Sequence, residues 1–361
     1  MLKKIALLIF ALAFLSTQAL GQVDPPKLDP VPSTEKQSAL IKEGVALHDQ
    51  GKYDAAISKY EEVLKENPAN VEALYELSFA YSMKKDYRKS LDIASKGAQY
   101  KSKLLPALYI QIGNNLDDLG ESKKSVEVYK AGIKLSPQTA MLYYNLAVAY
   151  SNLSKPDDAR KALKQAIAYN PNHPSSHLFL STIWREGGYK IPALLAASRF
   201  LVLEPGSRRS AAALKIVQEV MGGSATVGSN PNQINIFVDM NAKKDEGDFG
   251  ALDLVLGLGK AVGMTEENKN KTEMQLLVEQ FSTTFAIMSE QSDKGDKNKF
   301  TWKHYVPYFS EMRQKNYVEP FVYYVHQSSG NEETQKWLAN NKARVNEFLA
   351  WSKGYAWPKA D

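Results

Sequence analysis

The chain of 361 residues contains no cysteine, 44% hydrophobic residues and 24% charged residues, which excludes wholesale disorder, a disulfide framework and any thiolate metal site. The formal charge of +5 falls to +3 once Lys3 and Lys4 are set aside, too weak a bias to point to nucleic acid. Residues 23–222 hold 27 basic and 22 acidic side chains, and residues 223–361 hold 16 and 18, a difference that favours mild attraction between the two parts.

The first residues, MLKKIALLIFALAFLSTQALGQ, carry two lysines, an apolar run from Ile5 to Leu15, and small or polar residues ending in Ala19, Leu20 and Gly21. This is the pattern of a secretory signal peptide over 1–21, cleaved before Gln22. The run is shorter than the ~20 residues that cross a bilayer, so no stable membrane insertion is expected after cleavage. Without cysteine there is no lipidated N-terminus, and the expected location is the bacterial periplasm, with full secretion left open. Residues 22–36, including VDPPKLDPVPSTEK, are proline-rich and polar and predict an extended linker.

Residues 51–68, GKYDAAISKYEEVLKENP, read as one amphipathic helix with a turn at each end. The pattern recurs. Gly44, Ser78, Gly113, Ala147 and Ser181 are small residues spaced 34, 35, 34 and 34 apart, and Ala56, Ser90, Ser125, Ala159 and Ala193 follow each by twelve. Small residues at matched places let two antiparallel helices approach closely, so each unit predicts a helical hairpin. Pro68, Pro137, Pro171 and Pro205 end the second helix of their units, with Ser102 in the corresponding place of the second. Leu74, Leu77 and Tyr81, like Tyr143, Leu146 and Tyr150, fall at the 3 and 4 spacings of one helical face.

The period, the small residues and the terminal proline resemble the tetratricopeptide repeat, or TPR. The resemblance covers about residues 37–205 and implies a mainly all-α chain built on a solenoid of five helical hairpins. SRRSAAALKIVQEVM then looks like a solvating helix that closes the stack, giving a solenoid over 37–222. Ser90, Ser125 and Ser102 replace the usual Ala, Ala and Pro, and His177 stands where an aromatic is commoner; these changes are expected to loosen individual packing contacts.

TPR arrays act as protein-binding scaffolds whose first helices line a concave surface. Carrying the inward-facing positions of the family onto this chain gives Glu72, Tyr75, Phe79 and Ser82, then Ala107, Ile110, Asn114 and Asp117, then Met141, Tyr144, Val148 and Ser151. The family's clamp for a terminal carboxylate needs Lys, Arg and Asn there, because a carboxylate takes charge-assisted donors. Only Asn114 and Asn145 resemble it, which disfavours a carboxylate-clamp co-chaperone. Tyr75, Phe79, Ile110, Asn114, Tyr144, Asn145 and Val148 instead suggest an apolar and aromatic groove with polar tips, suited to a helical or extended protein segment. Mutual burial of these side chains, a second copy of the chain, and the C-terminal part of the same chain remain open as alternative occupants.

Beyond the array, residues 223–248 read as a linker: GGSATVGSNPNQ is a boundary, and INIFVDMN alternates Ile234, Ile236, Val238 and Met240 as a short strand without an identifiable partner. Residues 249–361 predict a small helical domain with helices over about 249–262, 272–290, 301–314, 317–327 and 331–353. Ser329 and Glu332 fit a capping box for the last of these. Trp302, Trp337, Trp351 and Trp357 are concentrated here, either as core packing or as a sugar-stacking surface, with Trp357 the expected exception to burial.

Signs of chemistry are sparse. His173 and His177 are four apart but Pro174 separates them at a unit boundary, so a shared zinc face is not expected, and His304 and His326 fall on different helices. GLGKAVG at 257–263 lacks the GxGxxG spacing, and DKGDKNK lacks the glycine and alternating acids of a calcium loop. No catalytic, cofactor or metal residue is assigned. The expected function is a non-enzymatic scaffold of the cell envelope, with an enzymatic or glycan-binding C-terminal domain as the competing reading.

Overall fold

A computed structural model describes residues 25–223, 225–227, 234–236, 243–263, 265–268, 270–292 and 295–360. The expected signal peptide, and Val238 and Met240 of the expected strand, lie outside the described residues. The chain divides into two compact units, Met1–Ala162 and Leu163–Asp361.

In the first unit α1 (Glu35–Asp49) pairs with α2 (Tyr53–Glu66), α3 (Val71–Met83) with α4 (Tyr87–Gly97), and α5 (Leu105–Asp118) with α6 (Ser122–Leu135). Helix α7 (Ala140–Asn152) opens a fourth hairpin, whose second helix α8 (Pro156–Tyr169) runs across the division between the units. Each first helix also lies beside the next, α1 on α3, α3 on α5 and α5 on α7. Thr34 caps α1 in a capping box with Gln37, and Asn70 caps α3 by accepting from the Ala73 N–H.

The small residues act by size complementarity. A Cβ on Gly44 would lie 2.5 Å from the Tyr60 ring, and one on Gly113 would lie 2.3 Å from the Tyr129 ring. Both tyrosines are buried, so glycine is the space into which the ring of the second helix fits. One turn joins the helices of each hairpin, and at Gly51, Lys85, Gly120, Ser154 and Gly188 it takes a left-handed conformation, with φ between 56° and 83°. These five positions keep the spacing of the small residues, so the period belongs to the backbone as well as to the packing.

The serine departures do not loosen the stack. Ser90 donates to the Ser78 carbonyl at 2.6 Å and accepts from Asn115 at 2.7 Å, and Ser125 donates to Asp117 at 2.8 Å. Both are fully buried, and hydrogen bonds replace the methyl contact that alanine would make. The linker is also more ordered than its composition implied: the N–H groups of Lys27 and Leu28 donate to Gln99, Lys101 N–H donates to Leu28, and Asn67 donates to Val31 and Pro32. Residues 25–34 are therefore an arm laid along the turns between hairpins.

The second unit holds the fifth hairpin, α9 (Pro174–Glu186) and α10 (Lys190–Leu203), followed by α11 (Ser210–Met221). The strand β2 (Ile234–Ile236) finds its partner in β1 (Ala225–Val227), antiparallel with Ala225 opposite Ile236. Then come α12 (Gly250–Gly263), α13 (Glu273–Gln291), a π-helical turn over Thr301–Tyr305, α14 (Val306–Gln314), α15 (Val318–Val325), α16 (Glu332–Asn340) and α17 (Lys342–Gly354). Two expectations are corrected. The last predicted helix is two, because the Asn341 side chain and its own N–H both donate to the Trp337 carbonyl and end α16. Asn331, not Ser329, caps α16 by accepting from the Thr334 N–H, while Ser329 lies in a 3₁₀ turn.

Helix α10 is buried from Ile191 through Val202, against α9 and α11 and also against α15 and the π-helical turn. Arg199, 1% exposed, sits within it. Its guanidinium donates to Tyr308 at 3.1 Å, Ser352 at 2.8 Å and Asn172 at 2.7 Å, and lies 5.0 Å and 4.9 Å from the ring centres of Tyr308 and Trp357. Trp351 and Trp357 both stack on Tyr308 at 5.0 Å, Trp302 stacks on Phe249 and Trp337 on Tyr323; Trp302 is buried, whereas Trp337, Trp351 and Trp357 are half-buried, so Trp357 is not fully buried but keeps ring contacts. His177, expected to be a loose fit, is fully buried between the Tyr305 hydroxyl at 2.7 Å and the Pro171 carbonyl at 2.9 Å, and burial pushes its pKa down to about 3.

Gly113→Ala gains helix propensity but must displace the Tyr129 ring, and a net loss of about 1–2 kcal/mol is expected, partly recovered by adding Tyr129→Leu. Urea denaturation followed by circular dichroism checks this, and a stabilised single variant would refute the size-complementarity argument. Arg199→Ala should cost on the order of 3 kcal/mol and shift tryptophan emission to the red, and Arg199→Lys should also destabilise because an ammonium cannot reproduce the planar fork. All five tryptophans lie in the second unit, so fluorescence-detected unfolding reads that unit directly.

Candidate protein-interaction site

The first helices of the first unit lie side by side and carry every candidate groove residue. On α3 the half-buried rings of Tyr75 and Phe79 stack with centres 6.4 Å apart and planes 10° apart. The row continues through His48, whose ring is 4.8 Å from Phe79 and 5.1 Å from Tyr53. His48 lies in the last turn of α1, and no sequence signal singled it out, because its contact with Phe79 spans two hairpins.

Carboxylates gather beside this row. Glu76 follows Tyr75 on α3 and is half-buried, and burial, then the charges of Glu72 and Asp49, hold its carboxyl above the usual range. The Tyr75 hydroxyl is raised by burial and by Glu76. None of these three carboxylates is in an ion pair with a lysine or arginine among the described residues. The rings are therefore bordered by negative charge, with only Asp49 near a basic group, the His48 ring at 3.8 Å.

On α5, Ile110 is half-buried, and Asn114 accepts from the Tyr129 hydroxyl at 2.7 Å, leaving its amide N–H groups as donors. Asp117 accepts from Ser125 and is thereby tied to the packing between α5 and α6. On α7, Tyr144 and Val148 are half-buried, whereas Asn145 is only 8% exposed, so it adds less accessible surface than its spacing implied. Met141 and Met83, 39% and 45% exposed, add adaptable apolar surface; Met83 sits in the last turn of α3, one turn beyond Phe79. The structure thus unites Tyr75 and Phe79 directly, sets Ile110, Asn114, Tyr144 and Val148 on neighbouring helices, and leaves Asn145 mostly buried.

Such a surface can hold apolar and aromatic side chains and favours a positive charge beside them. Among the described residues no group of three or more His, Asp or Glu side chains could hold a metal ion. His173 is engaged with Ser176, His177 with Tyr305 and Pro171, His304 with Phe300 and His326 with Val322, so the histidines are spread over separate contacts. No helix among the described residues is long and apolar enough to cross a membrane.

A family model described as TPR repeat matches residues 44–85 and 113–154, and one described as Tetratricopeptide repeat matches 140–173. The chain carries TPR repeats over these residues. The matches pass over 86–112, where Ser90 and Ser102 depart from the pattern, and stop before the fifth hairpin. Among curated proteins, the chain is 26% identical over 138 residues to "BBSome complex member BBS4" of Bos taurus, covering 38% of this chain and 26% of that protein. It is 28% identical over 134 residues to "Regulatory protein RapK" of Bacillus subtilis (strain 168), covering 32% of this chain and 36% of that protein. The chain thus spans about a quarter and about a third of these relatives' lengths. Among solved structures, a thermophilic TPR protein of Thermus thermophilus, TTC0263, is 23% identical with a TM-score of 0.43, over 50% of this chain and 98% of that one. TPR arrays serve protein–protein interaction, and typical members are scaffolds rather than enzymes.

The raised Glu76 carboxyl fixes a pH test. Because its pKa is higher folded than unfolded, Glu76 weakens the fold once pH rises above the unfolded value and is neutral in effect below it. Glu76→Gln should therefore raise the unfolding midpoint at pH 7 by less than about 1 kcal/mol in stability, and the gain should vanish near pH 4. Denaturation at the two pH values checks it; equal effects at both would remove the electrostatic account.

Proposed function

We propose that this chain is a non-enzymatic adaptor of the bacterial cell envelope that holds a protein segment on the first-helix face of its TPR array. The carrying observation is the stacked Tyr75–Phe79 pair, extended by His48, half-buried and bordered by Asp49, Glu72 and Glu76. Aromatic faces supply contact area at low entropy cost, and Glu72 and Glu76 beside them, with no lysine or arginine partner among the described residues, favour a cation. The segment that fits is amphipathic, with aliphatic or aromatic anchors and at least one Lys or Arg among them. Exported location rests on the N-terminal pattern of two lysines and an apolar run.

The test is selection of peptides from a random display library on the immobilised protein, followed by fluorescence anisotropy of the winners. Enrichment of apolar positions interleaved with Lys or Arg, and at least tenfold weaker binding by Tyr75→Ala/Phe79→Ala, is the expected result. Selection of acidic or C-terminal-carboxylate peptides, or binding indifferent to the double variant, would overturn the reading. Fractionation of cells carrying the chain, with Lys3→Glu/Lys4→Glu beside it, checks export separately.

A further inference from the structure

The second unit contains a cavity of about 520 Å³, within the roughly 300–1,000 Å³ usual for small-molecule sites. It lies where the ends of α11 and α12, the start of α13 and the turn after α15 meet. Met221, Met274 and Leu277 give it an apolar lining of side chains, two of them flexible thioethers that adapt to the shape of an occupant. Gln280, which also lines it, is committed to the Met221 and Leu256 carbonyls and so closes the C-terminal end of α11 rather than offering a donor.

Three side chains on the wall carry polar atoms with no ion pair or hydrogen bond among the described residues. Lys260, in the last turn of α12, is half-buried and has no ion pair among the described residues. Glu273, the first residue of α13, is exposed and also has no ion pair among the described residues. His326 is 4% exposed, and its Nδ1 lies 2.8 Å from the Val322 carbonyl. A carbonyl only accepts, so Nδ1 carries the proton and Nε2 is the acceptor; this Nε2 is buried and has no hydrogen-bond partner. Burial keeps the ring neutral by lowering its pKa, although Glu273 opposes that shift. A buried acceptor without a donor costs about 1–3 kcal/mol unless something supplies one.

One ligand chemistry answers all three. Lys260 calls for an anion, while Glu273 and the Nε2 of His326 call for a cationic donor, and the methionine and leucine surface calls for an aliphatic body. We propose that this cavity binds a free apolar α-amino acid, its carboxylate on Lys260, its ammonium between Glu273 and His326, and its side chain against Met221, Met274 and Leu277. A zwitterion of this kind is captured with no net charge transferred into the site, so neither protein charge is left unpaired. The cavity belongs to the second unit alone and the proposal does not depend on the peptide-binding reading of the first.

Isothermal titration calorimetry of the full chain with L-leucine tests the assignment. Saturable one-site binding is expected, at least tenfold weaker for 4-methylpentanoate, which lacks the ammonium, and for 3-methylbutylamine, which lacks the carboxylate. Lys260→Met and Glu273→Gln, both away from the packed core, should each weaken L-leucine at least tenfold with unchanged circular dichroism, and His326→Phe should do the same if it folds. No saturable heat with L-leucine would overturn the proposal. So would equal binding of the three probes, which would mark mere apolar filling, or full affinity in Lys260→Met.

Discussion

A helical hairpin has more than one apolar side and cannot cover them all by itself, so each hairpin must be stacked on another or capped. That constraint organises the chain. In the first unit it is met by repetition: the left-handed turn recurs with the period of the small residues, and the rings of Tyr60 and Tyr129 fill the spaces over Gly44 and Gly113. In the second unit repetition ends, and α10, apolar on every side, is covered by α15 and the π-helical turn in addition to its neighbours in the array. The C-terminal helices are therefore part of one core with the fifth hairpin.

Arg199 shows how specific that cover is. A guanidinium placed within a buried apolar helix has to be satisfied without water, and no carboxylate pairs with it among the described residues. Three neutral oxygens and two ring faces serve instead, drawn from the turn before α9, from α14, from α17 and from the segment beyond it. Neutral acceptors leave the positive charge uncancelled, which the electron-rich faces of Tyr308 and Trp357 partly offset. Tyr308, Trp351 and Trp357, part of the crowding of aromatic residues after residue 300, thus gather around a buried cation.

The array was legible because its signal is periodic: five small residues in register identify hairpins even where Ser90, Ser102 and His177 break the consensus. What those departures do was not legible, since a buried serine bonded to the preceding helix and a histidine wedged against Tyr305 depend on partners 12 and 128 residues away. The same holds for β1, whose three residues carry no alternation, and for Asn341, whose side chain cuts one predicted helix into two. Tyr75 and Phe79 were legible as one helical stripe; His48 was not, because it reaches them from another hairpin. The all-round apolarity of α10, by contrast, is written in its residues: LLAASRFLVL has no solvated face, and a helix of that kind has to be buried on all sides.

Both candidate sites share a physical logic. Elsewhere in the molecule charged groups that leave the surface are paired or bonded: Lys164 meets the buried Glu246, and Arg199 has its oxygens and rings. Glu76 beside the aromatic row, and Lys260 and His326 around the cavity, depart from that pattern. A neutral glutamine at 76 would avoid repulsion from Glu72 and Asp49, and an apolar residue at 326 would leave no orphaned acceptor. Stability alone does not favour such groups, and the two proposed ligands would complete them.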